Sequence, residues 1–251
     1  MDRLRPDFFL ELIRSARSVA IADAEGYVQA LHAFETIGQI LLNKVGDFGK
    51  YKEVIEAVAS KSSLCTEIPS LWPAYHTRFD QLYEEMRRAR NDAMHQGARA
   101  RTLTSHVVAM AIVLEDALLA NGETVSQFMV RDVIEAKEWQ PISYVRQQML
   151  THAFSYLPLF YEQEGCWCFV AEGSIARYLR SESEEGRKKK LAKTLGAAVS
   201  STQLQLQDAV TVTPDRSLSS IIEKIDGPPI LIVDPERKGM LLGILTAADI
   251  L

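Results

Sequence analysis

Residues 209–251 carry three linked runs. They are Ala209-Val-Thr-Val-Thr-Pro-Asp-Arg-Ser-Leu218, then Pro229-Ile-Leu-Ile-Val-Asp234, then Gly243-Ile-Leu-Thr-Ala-Ala-Asp249-Ile-Leu251. Val210 to Thr213 is β-branched and reads as a strand, with Pro214-Asp215 as the turn behind it. Ser217 to Ile225 reads as a helix, and Ile230 to Val233 as a buried strand. Asp234 to Gly239 is a hairpin turn, Met240 to Leu245 the returning strand, and Thr246 to Asp249 opens another helix. The order is β-α-β-β-α.

The same order recurs upstream in weaker form. Gln140 to Tyr144 is expected as a strand and Val145 to His152 as a helix. Tyr156 to Phe160 and Cys166 to Val170 are expected as strands, and Ile175 to Leu179 as a helix. Two copies at a spacing of about 70 residues make an internal repeat. Ser181 to Ala209 lies between them and carries Arg187-Lys188-Lys189-Lys190; it reads as a helix-containing connector with a solvated basic run.

Further out, the texture becomes helical. Between Asp23 and Leu42, apolar residues recur at Val28, Leu31, Phe34, Ile37 (or Gly38) and Leu41. That spacing follows the helical period. Phe79, Leu82, Met86, Ala89 and Ala93 form a second stripe. Leu103 to Leu119 is apolar almost all round and is expected as a central buried helix. Gly46 to Gly49, Ser60 to Ser63 and Asn121-Gly122 read as breaks. An antiparallel bundle of about four or five helices is the simplest architecture.

The chain has 251 residues and a formal net charge of −5, which suits one large or two small domains. Residues 1–125 hold 14 basic against 17 acidic side chains, and the rest 14 against 16. Neither part carries the positive field on which duplex-DNA affinity rests. The longest apolar run, Val107 to Leu114, is eight residues, against about 20 for a membrane-spanning helix. Met1-Asp2-Arg3 opens without the apolar core of a signal peptide. Cys65, Cys166 and Cys168 are too few for a disulfide framework. A cytoplasmic protein with no membrane partner is expected. Cys166 and Cys168 fall on one side of a strand but have no second ligand pair for zinc, so they read as buried strand thiols. His32, His76 and His106 have no metal-ligand spacing, and no metal site is expected.

The 209–251 stretch resembles a cystathionine-β-synthase (CBS) domain. Phe154-Ser-Tyr-Leu-Pro-Leu159 with Gly173-Ser-Ile-Ala-Arg-Tyr-Leu179 is similar but degraded. A pair of such domains makes a Bateman module, which in the family commonly binds adenosine-containing ligands and regulates rather than catalyses. The resemblance implies AMP, ADP, ATP or S-adenosylmethionine as regulatory ligand, with no other cofactor. It implies binding residues Thr211, Val212, Pro229, Ile230, Thr246 and Asp249. In the family pattern Gly-h-h-Thr-x-x-Asp, helix-start amides attract phosphate. The Thr246 hydroxyl would donate to it, and Asp249 would accept from ribose. The corresponding Ala171 and Ser174 in the first copy lack the acid, so one competent site is expected. The alternative for Thr246 and Asp249 is an ordinary N-cap with a first-turn acid. The sequence stops at Leu251, where this helix would begin in earnest, so a truncated last helix is expected.

In the helical half, Arg90-Asn91-x-x-x-His95 resembles the motif of HEPN domains. These are four-to-five-helix bundles, many of them metal-independent endoribonucleases that act as dimers. The resemblance implies Arg90, Asn91 and His95 as catalytic residues. Cleavage without metal uses the RNA 2′-hydroxyl. A histidine can move its proton near neutral pH, an arginine can stabilise the phosphate charge, and asparagine can orient phosphate or ribose. On a straight helix Asn91 and His95 lie about 40° apart and Arg90 about 140° from His95, so a dimer partner or a helix end must converge them. Residues 87–101 carry five arginines against one acid, a surface suited to a phosphate backbone. The bland reading of Arg90 is an ion pair with Glu115 or Asp116.

The expected fold class is thus multi-domain, α followed by α/β. The expected parts are a HEPN-like bundle over 1–122, a degraded CBS-like repeat over 126–180, a connector over 181–208 and a second CBS-like repeat over 209–251. Two functions stand open. One is a homodimeric adenosine-ligand sensor that controls RNA cleavage; the other is a non-catalytic dimeric scaffold that senses adenylates for a separate partner protein.

Overall fold

The structure is a computed structural model that describes residues 6–23, 26–92, 100–120, 122–180 and 183–251, with side chains described outside 89–102. The chain divides into two compact units, Met1–Gly122 and Glu123–Leu251. Among the described residues no helix is long and apolar enough to cross a membrane.

The first unit is helical. It contains α1 (Pro6–Ala22), α2 (Tyr27–Leu42), α3 (Lys52–Ala59), α4 (Glu67–Leu71), α5 (Phe79–Asp92) and α6 (Ala100–Leu119). Proline opens α1, where its missing N–H costs nothing. Phe9, Ile13, Ala16 and Ala20 then bury one face. α2 ends on Asn43 in the left-handed region at φ 53°, its N–H returning to Gln39 and Ile40. The buried face of α2 is Tyr27, Ala30, Leu31, Phe34, Ile37 and Gly38, whereas Val28 of the expected stripe is exposed. Phe79, Leu82 and Met86 of α5 are buried as the spacing predicts. α6 packs against α1, α2, α3 and α5, the central position expected from its all-round apolar surface. Glu115 on α6 is 8% exposed and receives Arg17 of α1 through Nε and Nη2, at 2.5 and 3.0 Å. Arg14 lies 3.7 Å from the same carboxylate, so Glu115 serves α1.

The second unit contains α7 (Val125–Phe128), α8 (Ile142–His152), β1 (Tyr156–Tyr161), β2 (Cys166–Ala171), α9 (Glu172–Leu179), α10 (Glu184–Ala192), α11 (Leu195–Ser200), β3 (Gln207–Asp208), β4 (Thr211–Val212), β5 (Ile230–Val233) and β6 (Leu241–Leu245). The strands form two small sheets, ordered β1-β2-β3 and β4-β5-β6. Each is built on an antiparallel hairpin whose turn carries a glycine, Gly165 or Gly239, at positive φ (61° and 78°).

The repeat is visible in backbone hydrogen bonds made twice. Val125, Ser126 and Leu218 donate to Arg216, Pro214 and Glu123; Leu195, Gly196 and Ile142 donate to Gln140, Glu138 and Lys193. The first bond of each set is 2.9 and 2.8 Å long. The copies also interlock. Val130 and Ile244 exchange both backbone bonds, at 2.8 and 2.9 Å, so the segment after α7 borders β6. Reciprocally, β3 pairs with β2, and Leu195, Ala198 and Leu204 join Val145, Leu157 and Ile175 in one core. Residues 194–208, read from sequence as connector, therefore build the first sheet and its core.

Two local expectations change. Gln140 to Tyr144 is not a strand: Pro141 precedes the first turn of α8, and Ile142, Val145 and Met149 bury one helical face. The parallel partner of β1 is instead a bridge at Ala136 to Leu159. Ser217 to Ile225 forms two 3₁₀ turns, Leu218–Ser220 and Ile222–Lys224, rather than a helix. Ser220 Oγ donates to the Ser217 carbonyl at 2.7 Å, a local bond that competes with helix formation. The basic run is solvated as expected, with the exposed Lys188 and Lys189 pairing with Glu184 and Glu185 one turn back.

Candidate functional site

A cavity of about 560 Å³ opens between the two repeats of the second unit, within the range of small-molecule sites. Its walls come from both copies. Val130, Asp132, Val133 and Ile134 follow α7, and Ala153 to Tyr156 with Pro158 run from the end of α8 into β1. Ile225, Gly227 and Pro229 lead into β5, and Ile244 lies on β6. Thr246 to Asp249 close it. The lining is chiefly apolar, with Asp132, Ser155, Thr246 and Asp249 as its short polar side chains.

Local chemistry fixes these groups. Thr246 follows β6 in extended conformation and caps the 3₁₀ turn Ala247–Asp249. Its N–H and its hydroxyl both donate to Asp249 Oδ2, at 2.7 and 2.8 Å. The sequence expectation gave the Thr246 hydroxyl to a phosphate; in this structure both Thr246 donors face the Asp249 carboxylate. Asp132 sits in the left-handed region at φ 55°, a place Asp and Asn tolerate better than most residues. Ser155 Oγ donates to Glu172 Oε1 at 3.1 Å. Gly227 has open space where a Cβ would stand.

Of the residues expected to hold a ligand, Pro229, Thr246 and Asp249 come together on this cavity. Thr211 and Val212 on β4 and the fully buried Ile230 on β5 are not among its lining residues. Strand alternation turns Ile230 to the side opposite Pro229. In the first copy, Ala171 precedes α9 without a side-chain cap. Ser174 is buried and accepts from Arg177 Nη2 at 3.2 Å. Asp132, Ser155 and Val130 were not singled out from sequence. The available signal was the repeat itself, which sets Phe154 to Leu159 opposite Gly227 to Ile232.

Arg90 and Asn91 belong to the last turn of α5 but lie beyond the described side chains, and His95 lies outside the described residues. His106 Nε2 stands 3.0 Å from Glu85 Oε2. Cys166 and Cys168 lie on one side of β2 with their sulfurs 3.8 Å apart. Cys168 is buried as expected, whereas Cys166 is half-buried.

Solved structures similar to about half of this chain include a CBS domain-containing protein of unknown function from Bacillus anthracis. It is 17% identical, covers 51% of this chain and 88% of its own, and has a TM-score of 0.40. CBSX2 in complex with AMP is 18% identical over 51% of this chain and 93% of its own, with a TM-score of 0.38. A CBS domain pair in complex with 5′-methylthioadenosine and S-adenosyl-L-methionine is 20% identical over 51% and 95%, with a TM-score of 0.37. A search of curated proteins finds no match. The family model for the CBS domain matches residues 202–251, the segment that holds Pro229, Thr246 and Asp249.

Proposed function

We propose that the second unit is a regulatory sensor for an adenosine-type ligand bound in the 560 Å³ cavity. The observation that carries this reading is the cavity itself, which sets Thr246 and Asp249 of the CBS-matched segment against apolar walls from both repeats. An adenine ring suits the walls of Val130, Ile134, Pro229 and Ile244. Ribose hydroxyls suit the acceptor-only carboxylates. Binding across two interlocked repeats gives the ligand a means to favour one arrangement of the unit over another.

The test is calorimetry of the full chain with AMP, ATP and S-adenosylmethionine. Binding of at least one is expected. Gly227→Phe places a ring in open space at the cavity wall and is expected to abolish that binding without unfolding the chain. Silence for all three ligands sinks the reading. For the helical unit, the reading is RNA cleavage without metal in a homodimer, carried by the Arg90-Asn91-x-x-x-His95 element. Incubation with labelled RNA in EDTA, wild type beside His95→Ala, tests it. No cleavage by either, with or without adenylates, leaves the non-catalytic scaffold.

A further inference from the structure

Cys166 and Cys168 stand apart from the cavity, none of whose lining residues lies on β2. Strand alternation puts both thiols on one side of β2, with their sulfurs 3.8 Å apart. That spacing suits a metal ion and not a disulfide. At a metal–sulfur bond of about 2.3 Å, sulfurs so placed subtend roughly 110°, the tetrahedral angle. A disulfide would draw them to about 2.05 Å. β2 resists that movement because it is the central strand of its sheet. Cys166 pairs with Tyr161 of β1, and Cys168 with Leu159 of β1 and Asp208 of β3.

Two carboxylates lie beside the pair. Cys166 Sγ donates to Glu164 Oε2 at 3.8 Å, and Asp208 stands across from Cys168. Both favour a cation next to the thiols. Cys168 is buried, whereas Cys166 is half-buried and gives the pair its access to solvent. Among the described residues no third His, Cys, Asp or Glu joins them in a cluster of three. Two thiolates would therefore be the protein's own ligands, with water at the remaining positions. A structural zinc site is closed by four protein ligands, so an ion held this way would exchange.

We propose that Cys166 and Cys168 form an exchangeable two-thiolate site for a soft divalent cation of the zinc and cadmium class. Binding forms two metal–sulfur bonds and releases the two thiol protons to solvent. Cadmium chloride added to the reduced, metal-free full chain is the probe, because cadmium–thiolate bonds absorb in the ultraviolet. One equivalent is expected to raise that charge-transfer band and to protect two of the three thiols from Ellman's reagent. Magnesium, which prefers oxygen ligands, should do neither. Cys166→Ser and Cys168→Ala should each remove the band, whereas Cys65→Ser keeps it. If Cys168→Ala unfolds the chain, Cys166→Ser at the half-buried position carries the test. No band from the wild type, or a band that survives Cys166→Ser, overturns the site. Loss of both thiols in air, restored by dithiothreitol, overturns it in favour of a disulfide.

Discussion

Cys168 shows how one residue in a small sheet links environment to a measurable property. Burial, with the Cys166 thiol beside it at 3.8 Å, pushes the Cys168 thiol up to about 12 from an ordinary 9.0. The folded chain therefore keeps this proton where the unfolded chain has already lost it. The group's contribution is fully present below pH 9 and declines as pH rises toward 12. Between pH 8 and 10.5, the urea midpoint of wild type is expected to fall more steeply than that of Cys168→Ala. Parallel slopes would show that the thiol's surroundings do not hold its proton. The same burial makes Cys168 the last thiol to react with iodoacetamide in the native state. Strand alternation in Cys166-Trp167-Cys168 made the shared side of the two sulfurs readable from sequence, whereas the half-burial of Cys166 was not. That Thr246 and Asp249 share one wall of the cavity follows from their spacing in Gly-h-h-Thr-x-x-Asp. Asp132 was not readable. It reaches the cavity from a single left-handed backbone position, and no local spacing marks such a place.

At the scale of elements, the α7 segment comes close against β6, and Gly243 permits it. A Cβ there would stand 2.7 Å from the Met129 sulfur and 2.9 Å from the Val130 carbonyl, whose oxygen accepts from Ile244. Gly243→Val forces either the strand or the incoming segment to move. It is expected to lower unfolding free energy by about 1–3 kcal/mol, as overpacking of a close contact does. Denaturant unfolding of the variant measures this, and an unchanged midpoint would mean the contact is slack. β5 and β6 were legible because Ile230 to Val233 and Leu241 to Leu245 are continuous apolar runs flanked by turn residues. Gln140 to Tyr144 misled because Ile142 and Tyr144 alternate like a strand for three residues, too short a window to separate period 2 from period 3.6. Pro141 was the decisive signal, since it opens α8. The serines of Ser217 to Ser220 had the opposite effect. They broke a run that reads as helical, because their hydroxyls bond to nearby backbone and to each other.

For the molecule as a whole, the paired hydrogen bonds make a strong claim about what can fold alone. α11 and β3 come from the stretch ahead of the second repeat yet complete the core and sheet of the first. Val125, Val130 and their neighbours come from the start of the first repeat yet bind the second. The first copy takes β3 and α11 from beyond its own end and the second takes the Val130 bridge onto β6, so the pair is expected to behave as one cooperative unit, whereas Met1–Gly122 and Glu123–Leu251 each contain a core of their own. A fragment of residues 123–251 is accordingly expected to unfold in a single transition and to bind any ligand of the full chain with unchanged affinity. A fragment of residues 123–193 lacks Leu195, Ala198 and Leu204 from its core and the β3 partner of β2. Burying three such side chains is worth on the order of 4 kcal/mol, a large share of what a small domain has. That fragment should show no cooperative transition and little amide protection at Leu157, Leu159 and Phe169. Adding residues 194–251 as a separate chain should restore both, because the exchanged contacts need no covalent link. Cooperative folding of residues 123–193 alone would overturn the interlock and return residues 194–208 to the role of a connector.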